Sequence, residues 1–289
     1  MINFAAMNIL DNLVYDIGLH DGNDTKYYLY KGYNVVAVDA NPKFIQQAEK
    51  EFKEYIEQGR LTLLNIAISG EEGEVTFNIS EDDHFSSVDT AFASRGGTLQ
   101  KITVPAKRIS SLFEQYGIPY YCKIDIEGYD SVCLGSIDKS KGIPPYISAE
   151  SLAEPADRQM EENEELKILD LLRDLGYTRF KLIDQHTLLP LQPDKKFYTL
   201  SLTLPARGLR HIKRKFGIDN QATYRKQLNA QQGYNFINGA SGPFAEDLGG
   251  TWYNYDTAKS MFLRHMNDHY SRKFVRKFSF WCDWHATIN

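Results

Sequence analysis

Cysteine is scarce in this chain of 289 residues, which has only Cys122, Cys133 and Cys282. The three are too far apart to form a metal-binding pair, and their odd number argues against a disulfide framework. Long apolar runs are also missing, so no segment is predicted to span a bilayer. The first residues lack the basic and apolar stretches of a signal peptide. We therefore expect a cytoplasmic protein without disulfides.

The composition indicates a folded chain with an uneven distribution of charge. With 42% hydrophobic and 13% aromatic residues, it can bury a substantial core. The net charge is −5, but residues 206–289 have 13 basic and 6 acidic side chains, a net +7. We therefore predict a domain over residues 1–205 and a basic, aromatic-rich C-terminal extension over 206–289. The basic residues of 207–215 could attract an anionic acceptor, and the few aromatics among them do not favour a nucleic-acid partner.

Short apolar runs alternate with amphipathic segments along residues 12–204, which predicts an α/β fold. Helices are predicted after residue 22, after Asn41 and at 110–116 and 166–175. The predicted strands are 34–39, 61–69, 73–79, 102–104, 120–125, 146–150, 180–183 and 197–204, the last two as a terminal pair.

The most informative pattern is a βαβ unit near the start of the chain. An apolar run ends in Asp16 and is followed by Gly18 and Gly22, and a second apolar strand ends in Asp39. A glycine turn lets the backbone approach a ligand, and an acid at the end of the second strand can bind both hydroxyls of a ribose. The unit therefore predicts a site for an adenosine-containing cofactor.

The spacing of this turn distinguishes between cofactors. A dinucleotide fingerprint needs a second glycine against the pyrophosphate, and His20 stands in that position. Asp16 adds negative charge, which disfavours a phosphate and suits the cationic sulfonium of S-adenosylmethionine. We therefore predict a methyl-donor site.

A second motif, Lys123-Ile-Asp125-Ile-Glu127-Gly128, follows a predicted strand. Together with the Asp16–Thr25 turn it resembles the FkbM family of S-adenosylmethionine-dependent methyltransferases. The resemblance extends over roughly residues 12–204 and includes 65–69, 86–88 and the strand ending at Glu150. A weaker likeness is found at 241–244, 249–252 and 281–285.

The resemblance implies a Rossmann-like class I methyltransferase fold, with a central mostly parallel sheet, helices on both faces, an inserted β-hairpin region and a C-terminal extension. It also implies O-methylation of a hydroxyl on a sugar, glycolipid or secondary metabolite, so that the partner is a small-molecule or glycan acceptor. The turn, the ribose acid and the resemblance together give these candidate cofactor-binding residues: Asp16, Gly18, His20, Gly22, Asp24, Thr25, Asp39, Ala40, Asn41, Asn65 and Ile66.

Methyl transfer from a sulfonium is an in-line displacement, so the enzyme mainly aligns the reacting atoms. A hydroxyl acceptor also needs a base for its proton. Asp125 and Glu127 flank the carboxyl end of a predicted central strand, where ligands bind in open α/β sheets. Lys123 could keep one of these carboxylates ionised. The candidate catalytic residues are therefore Asp125, Glu127 and Lys123, and the choice of base stays open.

The sequence does not define a metal site. Asp125, Glu127 and Glu150 could offer oxygen ligands to Mg²⁺. His84, in a polar loop, could serve as a base or a ligand if that loop folds over the site. We therefore assign no metal-binding residue.

Two other functions fit parts of the sequence. A glycosyltransferase could use Asp125 and Glu127 to bind a metal and a nucleotide sugar, but the glycine turn and Asp39 would then have no role. A non-catalytic nucleotide-binding or scaffold protein could keep the turn without needing the carboxylates. Binding of S-adenosylmethionine without turnover would indicate the second alternative.

Overall fold

The computed structural model describes residues 9–153, 164–193, 220–237, 239–271 and 280–289. Its strands are β1 (Ile9–Ile17), β2 (Asn34–Val38), β3 (Leu61–Leu64), β4 (Ala67–Ile68), β5 (Gly73–Ser80), β6 (Leu99–Lys107), β7 (Ile118–Ile124), β8 (Tyr146–Ala153), β9 (Arg179–Asp184), β10 (Leu189–Pro190) and β11 (Phe280–Thr287). Its α-helices are α1 (Asn23–Tyr30), α2 (Pro42–Glu51), α3 (Lys53–Glu57), α4 (Thr90–Ala93), α5 (Ile109–Tyr116), α6 (Asp130–Gly135), α7 (Glu164–Leu175), α8 (Asn220–Gln232) and α9 (Tyr255–Ser271).

Eight of the strands form one sheet in the order β10-β9-β11-β8-β7-β1-β2-β3. Within this sheet the five adjacent strands β3, β2, β1, β7 and β8 pair in parallel. Strand β11 is antiparallel to both of its neighbours, β8 and β9, and β10 pairs antiparallel at the edge. The prediction of a Rossmann-like α/β fold with a mostly parallel sheet is confirmed.

The tail of the chain contributes a strand to the interior of this sheet. Strand β11 lies between β8 and β9, whereas the sequence predicted that 180–183 pairs with 197–204. The segment 197–204 and the predicted boundary after residue 205 both lie outside the described residues. Residues 280–287 form a strand of the main sheet.

The alternating side chains of β1 explain why helices cover both faces of the sheet. Leu13, Tyr15 and Ile17 pack with α5, α6, α7 and α9 on one face. Val14 packs on the other face with residues of α1 and α2. A parallel strand with both faces covered is apolar on both sides. Asp16, which is fully buried, is therefore an exception that needs a partner.

A second sheet of three strands, in the order β4-β6-β5, confirms the predicted β-hairpin insertion. The prediction of one strand over 61–69 is wrong, because the chain leaves the main sheet after Leu64 and joins the small sheet at Ala67. Asn65 lies at the break, and its Nδ2 donates to the carbonyls of Asp39 and Ala40 at 2.9 and 3.2 Å.

Cys122, Cys133 and Cys282 are buried free thiols. None of the helices in the described ranges is both long and apolar enough to cross a membrane.

Candidate active site

A cleft opens at the carboxyl ends of β1, β2 and β7, where ligands bind in open α/β sheets. Most of the predicted site residues line it. They are Gly18, His20, Asp24, Asp39, Ala40, Asn41, Ile66, Lys123, Asp125 and Glu127. Asp16, Gly22, Thr25 and Asn65 do not line the cleft and contact the lining residues or the adjacent helices instead.

The two glycines of the turn are required by the packing of the protein itself. Gly18 has a φ of +94°, and a Cβ there would lie 1.8 Å from the carbonyl oxygen of Asp125. Gly22 has a φ of +75°, and a Cβ there would lie 2.8 Å from the ring of Phe52. Such φ values favour glycine. The first glycine thus lets the β1 turn pass close to the end of β7.

Asp39 is fixed by the backbone on both of its carboxylate oxygens. Oδ2 accepts from the amide of His20 at 2.8 Å, and Oδ1 accepts from the amide of Asn41 at 2.7 Å. Burial raises the pKa of this carboxyl group. A carboxylate has about four acceptor positions, so Asp39 retains acceptors for a ligand in the cleft.

Lys123 lies at the centre of a buried charge network. Its Nζ is 3.1 Å from Asp24, 3.3 Å from Asp16 and 3.5 Å from Asp125, and it donates to the carbonyl of Gly18 at 3.2 Å. Burial lowers the pKa of Lys123, but the three carboxylates outweigh burial and raise it well above its usual value. The cation therefore ties β7 to β1 and α1.

The acids of this network are held by further partners. Asp16 accepts from the Thr25 hydroxyl at 2.6 Å, and burial raises its pKa to about 6 although Lys123 opposes the shift. Asp24 accepts from the amide and the hydroxyl of Ser241, at 2.9 and 2.8 Å. Ser241, in the region after residue 205, thus contacts the first turn of α1.

The carboxylates of Asp125, Glu127 and Glu150 also line the cleft. Burial raises the pKa of Glu127 and Glu150 well above the ordinary value, and the charge of Asp125 adds to both shifts. Glu150 accepts from the indole nitrogen of Trp281 at 2.8 Å. Carboxylates with raised pKa values can accept a proton near neutral pH.

The backbone is unusual at two of the lining residues. In the described part of the chain, four non-glycine residues have a positive φ, and two of them, His20 at 47° and Glu127 at 54°, line the cleft. The carbonyl of Glu127 accepts from the Ser87 hydroxyl at 2.8 Å, which helps to hold this conformation. Backbone strain of this kind clusters at functional sites.

Sequence reasoning missed several lining residues, including Phe44, Phe77, Asp83, Tyr129 and Trp281. Trp281 lies in the segment 281–285, whose likeness to the family is weak, whereas Phe44 and Tyr129 lie within three residues of the predicted site residues Asn41 and Glu127. His84, which the sequence left conditional on its loop, does line the cleft and stacks on His20 with the ring centroids 4.7 Å apart.

Comparison with known proteins identifies the family of the chain. The model of the methyltransferase FkbM domain matches residues 16–179. The chain therefore belongs to the FkbM family of S-adenosylmethionine-dependent methyltransferases. A search of curated proteins gives no match.

Solved structures that resemble the chain at low sequence identity include methyltransferases. A methyltransferase FkbM from Methylobacillus flagellatus is 14% identical, with a TM-score of 0.34, over 50% of this chain and 33% of its own. This chain thus spans about a third of that protein. A S-adenosylmethionine-dependent methyltransferase from Geobacter sulfurreducens, in complex with S-adenosylhomocysteine, is 12% identical, with a TM-score of 0.38, over 96% of this chain and 84% of its own.

Proposed function

We propose that this methyltransferase transfers a methyl group to a hydroxyl of a sugar, glycolipid or secondary metabolite. The observation that carries the proposal is that one cleft is lined both by the ribose acid Asp39 and by the carboxylates Glu127 and Glu150. The first provides cofactor binding, and the others provide bases for a hydroxyl proton.

The residues around Asp39 fit S-adenosylmethionine. The Gly18–Asp21 turn and Asp39 would bind its amino-acid and ribose parts, and Ile66 with Phe77 would contact the adenine. Bound there, the cofactor supplies an electrophilic methyl group. Asp16 and Thr25 lie behind the turn, and Asn65 binds the backbone after β2. We therefore assign these three residues to positioning the cofactor-binding loops.

Asp39 is expected to contribute strongly to cofactor affinity. A hydrogen bond to a charged group contributes about 1.5–3 kcal/mol, so Asp39→Ala should raise the Kd for S-adenosylhomocysteine at least about tenfold, since tenfold corresponds to about 1.4 kcal/mol. Isothermal titration measures this change. Asp11→Ala, at an exposed position of β1, is the control. An unchanged Kd in the Asp39 variant would assign this acid to structure alone.

The role of Lys123 is better described as positioning than as proton transfer. Its three ion pairs keep it charged, so it cannot accept a proton from the acceptor. By holding Asp125 at 3.5 Å and the Gly18 carbonyl at 3.2 Å, it would fix the cofactor turn relative to the carboxylates.

The charges around the cleft favour a neutral acceptor over an anionic one. Asp125, Glu127 and Glu150 line the acceptor side, and the charge of Lys123 is shared with Asp16 and Asp24. An anion placed there would oppose the ionisation of Glu127 and Glu150, which a base requires, and would itself pay a desolvation cost. The basic segment 207–215, which suggested an anionic acceptor, lies outside the described residues.

A screen of acceptors tests the proposal. Hydroxylated sugars, lipid-linked glycans, amines and carboxylic acids would be incubated with S-adenosylmethionine, and release of S-adenosylhomocysteine would be measured with and without a chelator. We expect release only with hydroxyl acceptors and an O-methyl product by mass spectrometry and NMR. Turnover only with amines would overturn the proposal. A loss of activity with the chelator that Mg²⁺ restores would indicate that the three carboxylates bind this ion.

A further inference from the structure

A second group of side chains lies in the cleft wall, beside the turn that follows β1. It consists of His20, Asp83 and His84. His20 lies in the turn between β1 and α1, and the other two lie in a short 3₁₀ helix, Asp83–Phe85, in the connection between β5 and β6. One nitrogen or oxygen atom of each of the three lies within 4.8 Å of the others. Two imidazoles and one carboxylate are a common ligand set for divalent transition metals.

The nitrogen of His20 that faces this group has no hydrogen-bond partner among the described residues. Nε2 of His20 is buried without a hydrogen bond and lies 3.8 Å from Oδ1 of Asp83. A buried polar atom without a partner is costly, and the cost is removed when the atom binds a ligand. Its distance from the carboxylate is too long for a hydrogen bond, but the pair can close on an ion between them.

His20 and Asp83 each also contact a charged side chain outside the group, as metal ligands commonly do. The other ring nitrogen of His20, Nδ1, lies 3.9 Å from Oδ1 of Asp21. The other oxygen of Asp83, Oδ2, accepts from Nζ of Lys43 at 2.8 Å. A metal-binding histidine commonly directs its second nitrogen at a carboxylate. These contacts leave Nε2 of His20 and Oδ1 of Asp83 facing each other.

We propose that His20, Asp83 and His84 bind a divalent transition metal, with Zn²⁺ as the best fit. Imidazole ligands favour Zn²⁺ over Mg²⁺, which prefers oxygen ligands. A tetrahedral zinc ion with bonds of about 2.0–2.1 Å needs ligand atoms about 3.3 Å apart. The group therefore has to contract slightly, mainly by rotation of the His84 side chain, which is exposed.

The position of this metal gives it a specific consequence. It would join the β5–β6 connection to the turn between β1 and α1. These two segments also meet through the stacked rings of His20 and His84 and through the contact of Asp83 with His20. Three protein ligands leave a fourth position for water or for a group bound in the cleft.

Direct metal binding tests the proposal without any methyl acceptor. The metal-free protein would be titrated with Zn²⁺ by calorimetry and with Co²⁺ by visible absorption, at a pH near 8 so that the imidazoles are deprotonated. We expect one metal per chain. Because loss of an outer partner alone costs about 10–100-fold in affinity, His84→Ala and Asp83→Asn should each weaken binding by about 100-fold or more.

Glu81→Gln is the matched control, since Glu81 is an exposed carboxylate of the same connection. It should bind metal as the wild type does. Thermal unfolding with and without Zn²⁺ shows that each variant is folded and whether the metal stabilises it. No binding by the wild type, or equal binding by the wild type and by both His84→Ala and Asp83→Asn, would overturn the proposal. A failed acceptor screen would leave these results unaffected.

Discussion

Glu127→Gln should lower the rate of methyl transfer by about 10²–10⁴, the usual contribution of a general base. Glutamine has the same shape and cannot take up the hydroxyl proton. Affinity for S-adenosylhomocysteine should be retained. Steady-state kinetics with the acceptor found by the screen would measure the loss of kcat.

The pH dependence provides a second measurement. Burial raises the pKa of Glu127, so the protonated form, which is inactive as a base, persists above the usual range of a carboxyl group. The wild-type rate should therefore rise with pH through this raised pKa, and Glu127→Gln should lose that rise. Glu74→Gln, at an exposed position of β5, should behave as the wild type. If the variant kept full turnover, Glu127 would not be the base, and Glu150 or His84 would be tested next.

Lys123→Met should be the most destabilising single substitution in the site. Removing one partner of a buried ion pair typically costs about 3–5 kcal/mol, and here Asp16 and Asp24, both almost fully buried, lose the same cation. Urea unfolding followed by circular dichroism would measure the change in unfolding free energy.

The loss should be smaller at low pH. Without Lys123 the pKa of Asp16, already raised to about 6, rises further. Between pH 7 and pH 5 Asp16 takes up its proton more completely in the folded variant, so the difference from the wild type decreases. Lys53→Met removes an exposed i,i+4 pair with Glu57 and should cost no more than about 0.5 kcal/mol. If Lys123→Met cost equally little, the network would not stabilise the fold.

The features of the cleft that follow from the sequence alone are local in the chain. The turn after Asp16 and the acid at the end of β2 follow from apolar runs and glycine spacing, and the structure places Gly18 and Asp39 in one cleft. The cap of α2 is equally local, because the Asn41 side chain accepts from the amide of Lys43 two residues later. Their roles toward the cofactor remain predictions.

The parts that the sequence did not predict depend on distant contacts. The strand break at Asn65 follows from its bonds to carbonyls after β2, whereas the apolar pattern of 61–69 continues across the break. Lys123 was predicted from strand parity to pair with a carboxylate of its own motif. Its closer partners are Asp16 and Asp24, which come from other elements.

The insertion of β11 between β8 and β9 has a consequence for how the molecule folds. Trp281 reaches Glu150 across 131 residues of sequence, and Ser241 reaches Asp24 across 217. Closing such long loops costs chain entropy before the contacts between their ends can stabilise the structure. Proteins dominated by contacts between distant residues therefore fold slowly. The cleft should therefore gain its ligand affinity late in refolding, after most helical structure has formed. Stopped-flow refolding in the presence of S-adenosylhomocysteine would separate the two events in time.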